Sequence, residues 1–477
     1  FMKDTSKLSR RNFIGKSAAA TFGFTLLPAY LTSARAADNP KSPPSQRLNL
    51  GCIGIGGRAA GLIPNLTRKG EALPVAFAVV DFDPGNKRDT NLKARPDVPR
   101  YNDFRLMFDE MEKDIDAVIV VTPDHTHFVA AIHAMSLGKH VYVEKPLTHT
   151  FEESDILMRA EKKFNVVTQM GNQGHTAGGS YQFKQMAEMG VLDDVYKIDA
   201  WKSPGLWFMQ EKKRISAYPA EEPIPASLKT WDNWCGPKPM VGFNKKFHNG
   251  GWRGFQKYGG GMFGDWGCHI IDYVHHYLSL GLPTDISPVR LDDHNKVIFP
   301  LTSHINFKFP ERGPRQPEVE MLWKAGADCY PEFAKKYGDI QSDGSVKIPD
   351  LGNGGTLMHR KQGDYAILRG HHGDASRIYP RVKMLEHRDA VKPPKRTLGH
   401  GDSFIHACMG ENTTMSPFSI AGPLTQVLNL GMIAEYLNVN LKFDPKTKQF
   451  IGNDEANALL KGGVEPRADW AHYYKLA

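Results

Sequence analysis

Two short stretches carry residues whose types and spacing suit chemistry. In the first, Gly54-Ile55-Gly56-Gly57-Arg58-Ala59 forms a G-x-G-x-x-A turn directly behind the apolar run Leu48 to Ile53. Gly54 permits a tight turn, Gly56 lets backbone approach a pyrophosphate, and small Ala59 allows a helix to pack closely on the strand. Phosphates then sit at a helix N-terminus, where free N–H groups and the dipole favour anions. Asp81 ends the next apolar strand about 20 residues beyond Ala59, where a carboxylate takes ribose hydroxyls and disfavours a 2′-phosphate. NAD is therefore expected over NADP, with Asp81 as a helix cap the competing reading. In the second stretch, Asp265 and His269 are four residues apart, so on a helix they share one face. A carboxylate and an imidazole placed that way can converge on one substrate hydroxyl. The competing reading has Asp265 capping the helix and His269 packing beneath a neighbour.

The elements that must position these groups alternate. Strands are expected at Leu48 to Ile53, Val75 to Val80, Ala117 to Val121, His140 to Val143 and Val166 to Met170. Helical patterns separate them, including one through Leu62, Ile63 and Leu66 and another from Phe128 to Leu137. Such alternation predicts a parallel sheet, whose ligands lie outside the carboxyl ends of its strands. Those ends carry Thr122-Pro123-Asp124-His125-Thr126-His127 and Glu144-Lys145-Pro146. His125 and His127 form an H-x-H with no third ligand nearby in sequence. A loop at the cofactor's edge suits them better than a metal, and no metal is expected.

Together these motifs resemble the glucose–fructose oxidoreductase/inositol dehydrogenase (Gfo/Idh/MocA) family from Leu48 to about Leu441. The resemblance rests on the glycine turn, Asp81, the T-P-x-x-T-H segment and above all Glu144-Lys145-Pro146. It implies a Rossmann domain followed by an α+β domain built on a large, mostly antiparallel sheet that often supports homo-oligomers. It also implies a carbohydrate or glycoside substrate between that sheet and the nicotinamide. Lys145 matches the family's active-site cation, and Gly259 to Asp272 resembles its D-x-x-x-H helix. The cofactor set it implies is Gly54, Gly56, Gly57, Arg58, Ala59, Asp81, Thr122, Pro123, His127, Glu144, Lys145 and Asn172. Lys145, Asp265 and His269 form the catalytic set. His175 stands where the family commonly has arginine, which puts contacts to an anionic substrate in doubt. His175, Trp207, Trp252, Arg253 and Tyr258 are substrate candidates. Flat aromatic faces suit sugar rings, but tryptophan in a second-domain sheet is as often core. His275-His276 is expected on a helix surface and His371-His372 in a loop.

The expected activity is NAD-dependent oxidation of a sugar or glycoside hydroxyl with a tightly held, internally recycled cofactor. The alternative is a redox-neutral glycosidase cycle of oxidation, elimination, hydration and reduction. A binding protein without catalysis is the third reading.

Composition bounds the rest. With 477 residues, 41% hydrophobic and 23% charged, the chain is neither disordered nor fibrous, and has material for two domains. The net charge of +8 suggests nucleic acid, but residues 1–36 hold six basic residues against Asp4 alone. Nucleic-acid binding is not expected. Arg10-Arg11, an apolar run too short to span a bilayer and Ala34-Arg35-Ala36 read as a twin-arginine signal peptide over 1–36. That reading implies export to the periplasm in folded form. A basic arm is its alternative. The expected organisation continues with a flexible leader over 37–47, the Rossmann domain over 48–170 and the second domain over 171–440. A tail over 441–477 straps back on the body without chemistry of its own. Five scattered cysteines without a C-x-x-C indicate no disulfide framework, though one pair could bridge.

Overall fold

The computed structural model describes residues 47–80, 90–203, 214–248, 250–392 and 398–477. The signal-peptide reading, Asp81 and Trp207 lie outside them. The first sheet contains β1 (Leu48–Ile53), β2 (Ala72–Ala78), β3 (Arg100–Tyr101), β4 (Ala117–Val120), β5 (His140–Val143) and β6 (Thr168–Met170). Its order is β3-β2-β1-β4-β5-β6 and every pairing is parallel. This is the doubly wound Rossmann order, and its switch point falls between β1 and β4. The strands read as nearly unbroken apolar runs because helices cover both faces. All four residues of β4 are fully buried.

The helix after β4 spans Asp124–Ser136, four residues earlier than the apolar pattern suggests. Pro123 is extended at the N-cap position and Asp124 is an acid in the first turn, both favourable at a helix start. The motif Asp124-His125-Thr126-His127 is therefore helical rather than a loop. The helix Phe151–Phe164 opens on a capping box between Thr150 and Glu153 and closes on left-handed Asn165.

The second sheet has nine strands. They are β7 (Val195–Lys202), β8 (Asp285–Asp292), β9 (Thr302–Phe309), β10 (Val319–Ala325), β13 (Gly354–Arg360), β14 (Ala366–Gly370), β15 (Ser376–Tyr379), β16 (Leu441–Asp444) and β17 (Gln449–Phe450). A separate hairpin holds β11 (Asp339–Ile340) and β12 (Val346–Lys347). The order is β15-β14-β13-β7-β10-β9-β8-β16-β17. Only β7 and β10 pair in parallel; the other neighbours are antiparallel.

The helix Gly261–Ile270, which carries Asp265 and His269, lies between this sheet and the long helix Phe418–Leu437. Phe263 packs on Phe307 of β9 and Trp323 of β10, with ring centroids 5.5 and 5.0 Å apart. On its other side a Cβ at Gly267 would lie 2.6 Å from Leu428 Cδ2, so a larger residue there would have to displace that side chain.

The chain after 398 does not stay with the second domain. Phe404 and Ile405, in the helix His400–Cys408, are buried in the Rossmann core. The tail also differs from a plain strap: β16 extends the large sheet, and Arg467 donates to the Gly236 carbonyl at 2.8 Å. His275 is buried and bonded to the Gly281 carbonyl at 2.9 Å, not on the surface, because its helix packs against the body of the domain. The five cysteines are free. No helix of the described residues is long and apolar enough to cross a membrane.

His400 donates from Nε2 to the Met170 carbonyl at the end of β6, at 2.7 Å. Burial pushes its pKa down to about 4. The folded value lies below that of an unfolded histidine, near 6.5. Stability from this group is therefore complete above pH 6.5 and is lost as pH falls towards 4. At about 1.4 kcal/mol per unit, on the order of 3 kcal/mol is at stake. His400→Gln is expected to be less stable at pH 7 but to lose less between pH 6.5 and 4 in chemical denaturation. An equally steep loss in the variant would assign the acid sensitivity elsewhere.

Candidate active site

A cleft of about 580 Å³ lies where the carboxyl ends of β1, β2, β4 and β5 meet the helix Gly261–Ile270. Its wall on the Rossmann side includes Gly54, Gly56, Gly57, Arg58, Thr122, Pro123, His127, Glu144 and Lys145. Gly54 has φ 77°, and a Cβ there would lie 2.6 Å from the Val121 carbonyl oxygen. The turn can thus cross the end of β4 only as glycine. Gly57, at φ 50°, has open space where a Cβ would be. Ala59 is buried in the core beneath the turn, where it packs the helix on the sheet without lining the cleft. Thr122 Oγ1 is buried at the cleft wall without a hydrogen-bond partner among the described residues. These strand ends fit a dinucleotide: a backbone cradle, a helix start and an orphaned polar atom. Val80, the residue before Asp81, also lines the cleft.

Across from the cradle, Lys145 Nζ lies 2.5 Å from Asp265 Oδ1 and 2.8 Å from the Asp265 carbonyl oxygen. Arg253 Nε approaches the same Oδ1 at 3.4 Å. Asp265 therefore serves as the buried counter-ion of two cations and does not cap its helix. Burial alone would raise its pKa, but Lys145 and Arg253 outweigh it and hold the carboxyl below its ordinary value. Burial likewise works against the Lys145 ammonium, and Asp265 overrides it and raises that pKa.

His269 lines the same cleft, and its imidazole has no hydrogen-bond partner among the described residues. Burial, then Lys145 and His372, push its pKa well below 6.5, so the ring is neutral. An ordinary histidine pKa does not describe it, because the side chain sits in a dry, cationic site. His372 stacks on it with ring centroids 3.9 Å apart, and Trp266 meets His372 edge-on at 5.1 Å.

Glu144 is buried behind the cradle, where it accepts from Arg58 Nε at 3.2 Å and from Gln173 Nε2 at 3.0 Å. His127 faces two carbonyls, Nδ1 to Pro146 at 2.8 Å and Nε2 to Thr122 at 2.9 Å. His125 bonds the Trp234 carbonyl at 2.7 Å.

Among the substrate candidates, Trp252 and Arg253 line the cleft, with the guanidinium 4.2 Å over the indole. Tyr258 does not. It is fully buried in an aromatic cluster against His125 and Trp234, and burial raises its phenol far above its ordinary pKa. His175 is also away from the cleft wall, because buried Asp272 takes its Nδ1 at 2.9 Å. Asn172 Nδ2 donates to the same carboxylate at 2.9 Å, and Asn172 is not among the residues that line the cleft.

Sequence reasoning missed Asp124, His372, Trp266 and Trp470, all of which line the cleft. Asp124 is buried close to Arg253, Asp265 and Lys145; burial, opposed by Arg253, pushes its pKa up to about 7. Its place in the first turn after β4, at a strand's carboxyl end, was the available signal. Nothing in the sequence marks Trp470, which reaches the cleft from the tail beneath Arg105, 4.4 Å away.

This fold and cleft define the dinucleotide-binding Rossmann class, joined to a second domain built on a mostly antiparallel sheet. Residues 48–172 match the Gfo/Idh/MocA oxidoreductase family, NAD-binding Rossmann fold, and residues 181–297 match the family's C-terminal alpha/beta domain. The chain belongs to that family. It is 34% identical over 128 residues to the levoglucosan dehydrogenase of Pseudarthrobacter phenanthrenivorans, a match covering 26% of this chain and 32% of that one. It is 28% identical over 165 residues to a glycosyl hydrolase family 109 protein of Shewanella pealeana, covering 31% and 35% respectively. Each match spans about a third of the relative's length. The crystal structure of the WlbA dehydrogenase from Chromobacterium violaceum, in complex with NADH and UDP-GlcNAcA, superposes with a TM-score of 0.52 at 15% identity. That superposition covers 84% of this chain and 98% of the other, and it establishes the shared fold.

Proposed function

We propose that this protein is an NAD-dependent oxidoreductase acting on a hydroxyl of a sugar or glycoside, with its cofactor held tightly and regenerated within the site. The observation that carries this reading is the position of Lys145, Asp265 and neutral His269 in the cleft that the glycine turn also lines. When bound, the nicotinamide supplies a hydride acceptor and donor. Lys145 holds the substrate oxygen and favours alkoxide character as it develops. Neutral His269 takes the hydroxyl proton at a ring nitrogen. Asp265 keeps Lys145 charged and oriented. Trp252, Trp266 and Trp470 add aromatic surface to the cleft wall, which suits the apolar side of a sugar ring.

A redox-neutral glycosidase cycle is the second reading. It is favoured by Asp124, since elimination and hydration require more proton transfers than one oxidation. The glycosyl hydrolase relative points the same way. The deciding experiment incubates the as-purified protein with a panel of glycosides and no added cofactor. Keto-sugar supports the dehydrogenase and free aglycone the glycosidase. Unchanged glycosides, with nucleotide bound, support the binding protein.

In the glycosidase cycle deprotonated Asp124 accepts the additional proton, so the rate of that cycle should rise as pH passes about 7. Asp124→Asn is expected to remove that limb and lower the rate by about 10²-fold or more. An unchanged pH profile would assign the limb to another group.

NAD is proposed over NADP because Asp81 follows β2, and mass spectrometry of the nucleotide released on denaturation tests it. Export in folded form, proposed from Arg10-Arg11, accounts for a captive cofactor. Replacing both with lysine should retain the precursor in the cytoplasm. Self-association through the nine-stranded sheet is proposed from the family resemblance, with light scattering as its test.

A further inference from the structure

A second cavity, of about 370 Å³, shares no lining residue with the cleft. It lies between the start of the helix Phe151–Phe164, the long helix Phe418–Leu437 and the C-terminal segment around Gly462. Lys238 lines it, only 8% exposed, and its ammonium has no hydrogen-bond or ion-pair partner among the described residues. Burial works against its charge, a cost that a nearby countercharge offsets. Glu153 is the carboxylate that acts on it electrostatically. Its oxygens are already occupied: Oε1 accepts from Tyr474 at 2.7 Å, and Oε2 from the His149 and Thr150 backbone N–H groups at 3.2 and 3.0 Å. Lys257 lines the cavity as well, and the two lysines repel each other. Lys296 and Glu455, also in the wall, satisfy one another at 3.2 Å. The lining is thus left with positive charge in excess.

Unused hydrogen-bonding groups accompany that charge. Asn429 is 2% exposed; its Nδ2 donates to the His149 carbonyl, and its Oδ1 has no partner among the described residues. Gln256 Nε2 and His149 Nδ1 are buried in the same wall without a hydrogen-bond partner among the described residues. Tyr218 and Tyr436 add aromatic surface beside Lys257 and Lys296.

We propose that this cavity is a second ligand site for a small organic anion, its carboxylate or phosphate held by Lys238 and Lys257 and its polar body by Asn429, Gln256 and His149. The site is independent of the reaction assigned to the cleft. An anion supplies the missing countercharge, while the amide oxygen of Asn429 selects a ligand that also carries a donor such as a hydroxyl.

The test is calorimetric titration of the full chain with sodium D-gluconate, inorganic phosphate and D-glucose at fixed ionic strength. One of the anions is expected to bind saturably at one site, and glucose at least tenfold more weakly. Gluconate as the tighter probe identifies a carboxylate ligand, and phosphate a phosphorylated one. Lys238→Met, which keeps the apolar stem, should weaken that anion at least tenfold, whereas Lys145→Ala should leave it unchanged. Lys257→Met provides the same readout should Lys238→Met fail to fold. Three results would overturn the proposal: no saturable anion binding, unchanged binding in the folded lysine variants, or loss of binding in Lys145→Ala, which would place the anion in the cleft.

Discussion

Lys145→Ala is expected to cut turnover by about 10²–10³-fold or more, the loss that follows removal of one preorganised charge from a reacting oxygen. The ammonium lies 2.5 Å from Asp265 Oδ1, and that carboxylate, overriding the cost of burial, keeps it charged. Its removal does not leave Asp265 alone, because Arg253 still approaches Oδ1 at 3.4 Å. The fold should therefore persist with a modest fall in melting temperature. Bound nucleotide should also persist, since the pyrophosphate cradle is built from the backbone around Gly54 to Gly57. Rate, nucleotide content and melting temperature measured on one preparation separate these effects. Near-normal turnover with nucleotide bound would show that Lys145 does not face the reacting oxygen. Loss of nucleotide along with rate would make it a cofactor ligand first.

His269→Ala should lower the rate by about 10²–10⁴-fold, the usual contribution of one positioned proton acceptor. The ring is neutral because burial, Lys145 and His372 all oppose its charging. It can accept a proton at neutral pH, and a low-pH limb from His269 itself is not expected near 6.5. Added imidazole should restore part of the lost rate, because the variant leaves a ring-sized space beside His372. Asp265→Asn should cost less: it keeps the shape of the site while weakening the hold on Lys145. If His269→Ala retains its rate with nucleotide bound, Asp124 is the proton acceptor, as a buried carboxyl of this cleft whose pKa is pushed up to about 7. His175 is not the alternative, since Asp272 holds it away from the cleft wall.

Local pattern was enough to read the Rossmann half. A strand, a glycine turn and a helix are contiguous in sequence, so Leu48 to Leu66 states its own geometry, and β1, β4 and β5 fall close to where the apolar runs place them. The pairing of Asp265 with His269 was legible for the same reason, because one helical turn separates them. Contacts across the chain were not. Lys145 and Asp265 are 120 residues apart, and only the packing of the helix Gly261–Ile270 between sheet and long helix brings them together. Asp272 claimed His175 and Asn172 from similar distance, and an aromatic cluster claimed Tyr258. Trp470 entered the cleft from a tail whose composition announces no chemistry. Protonation followed packing too: Asp124 rises towards 7 and His269 falls because each is taken out of water among particular charges. Residue type sets which groups can carry a proton or a charge; desolvation and long-range neighbours, which exist only once the chain is folded, decide which of them do.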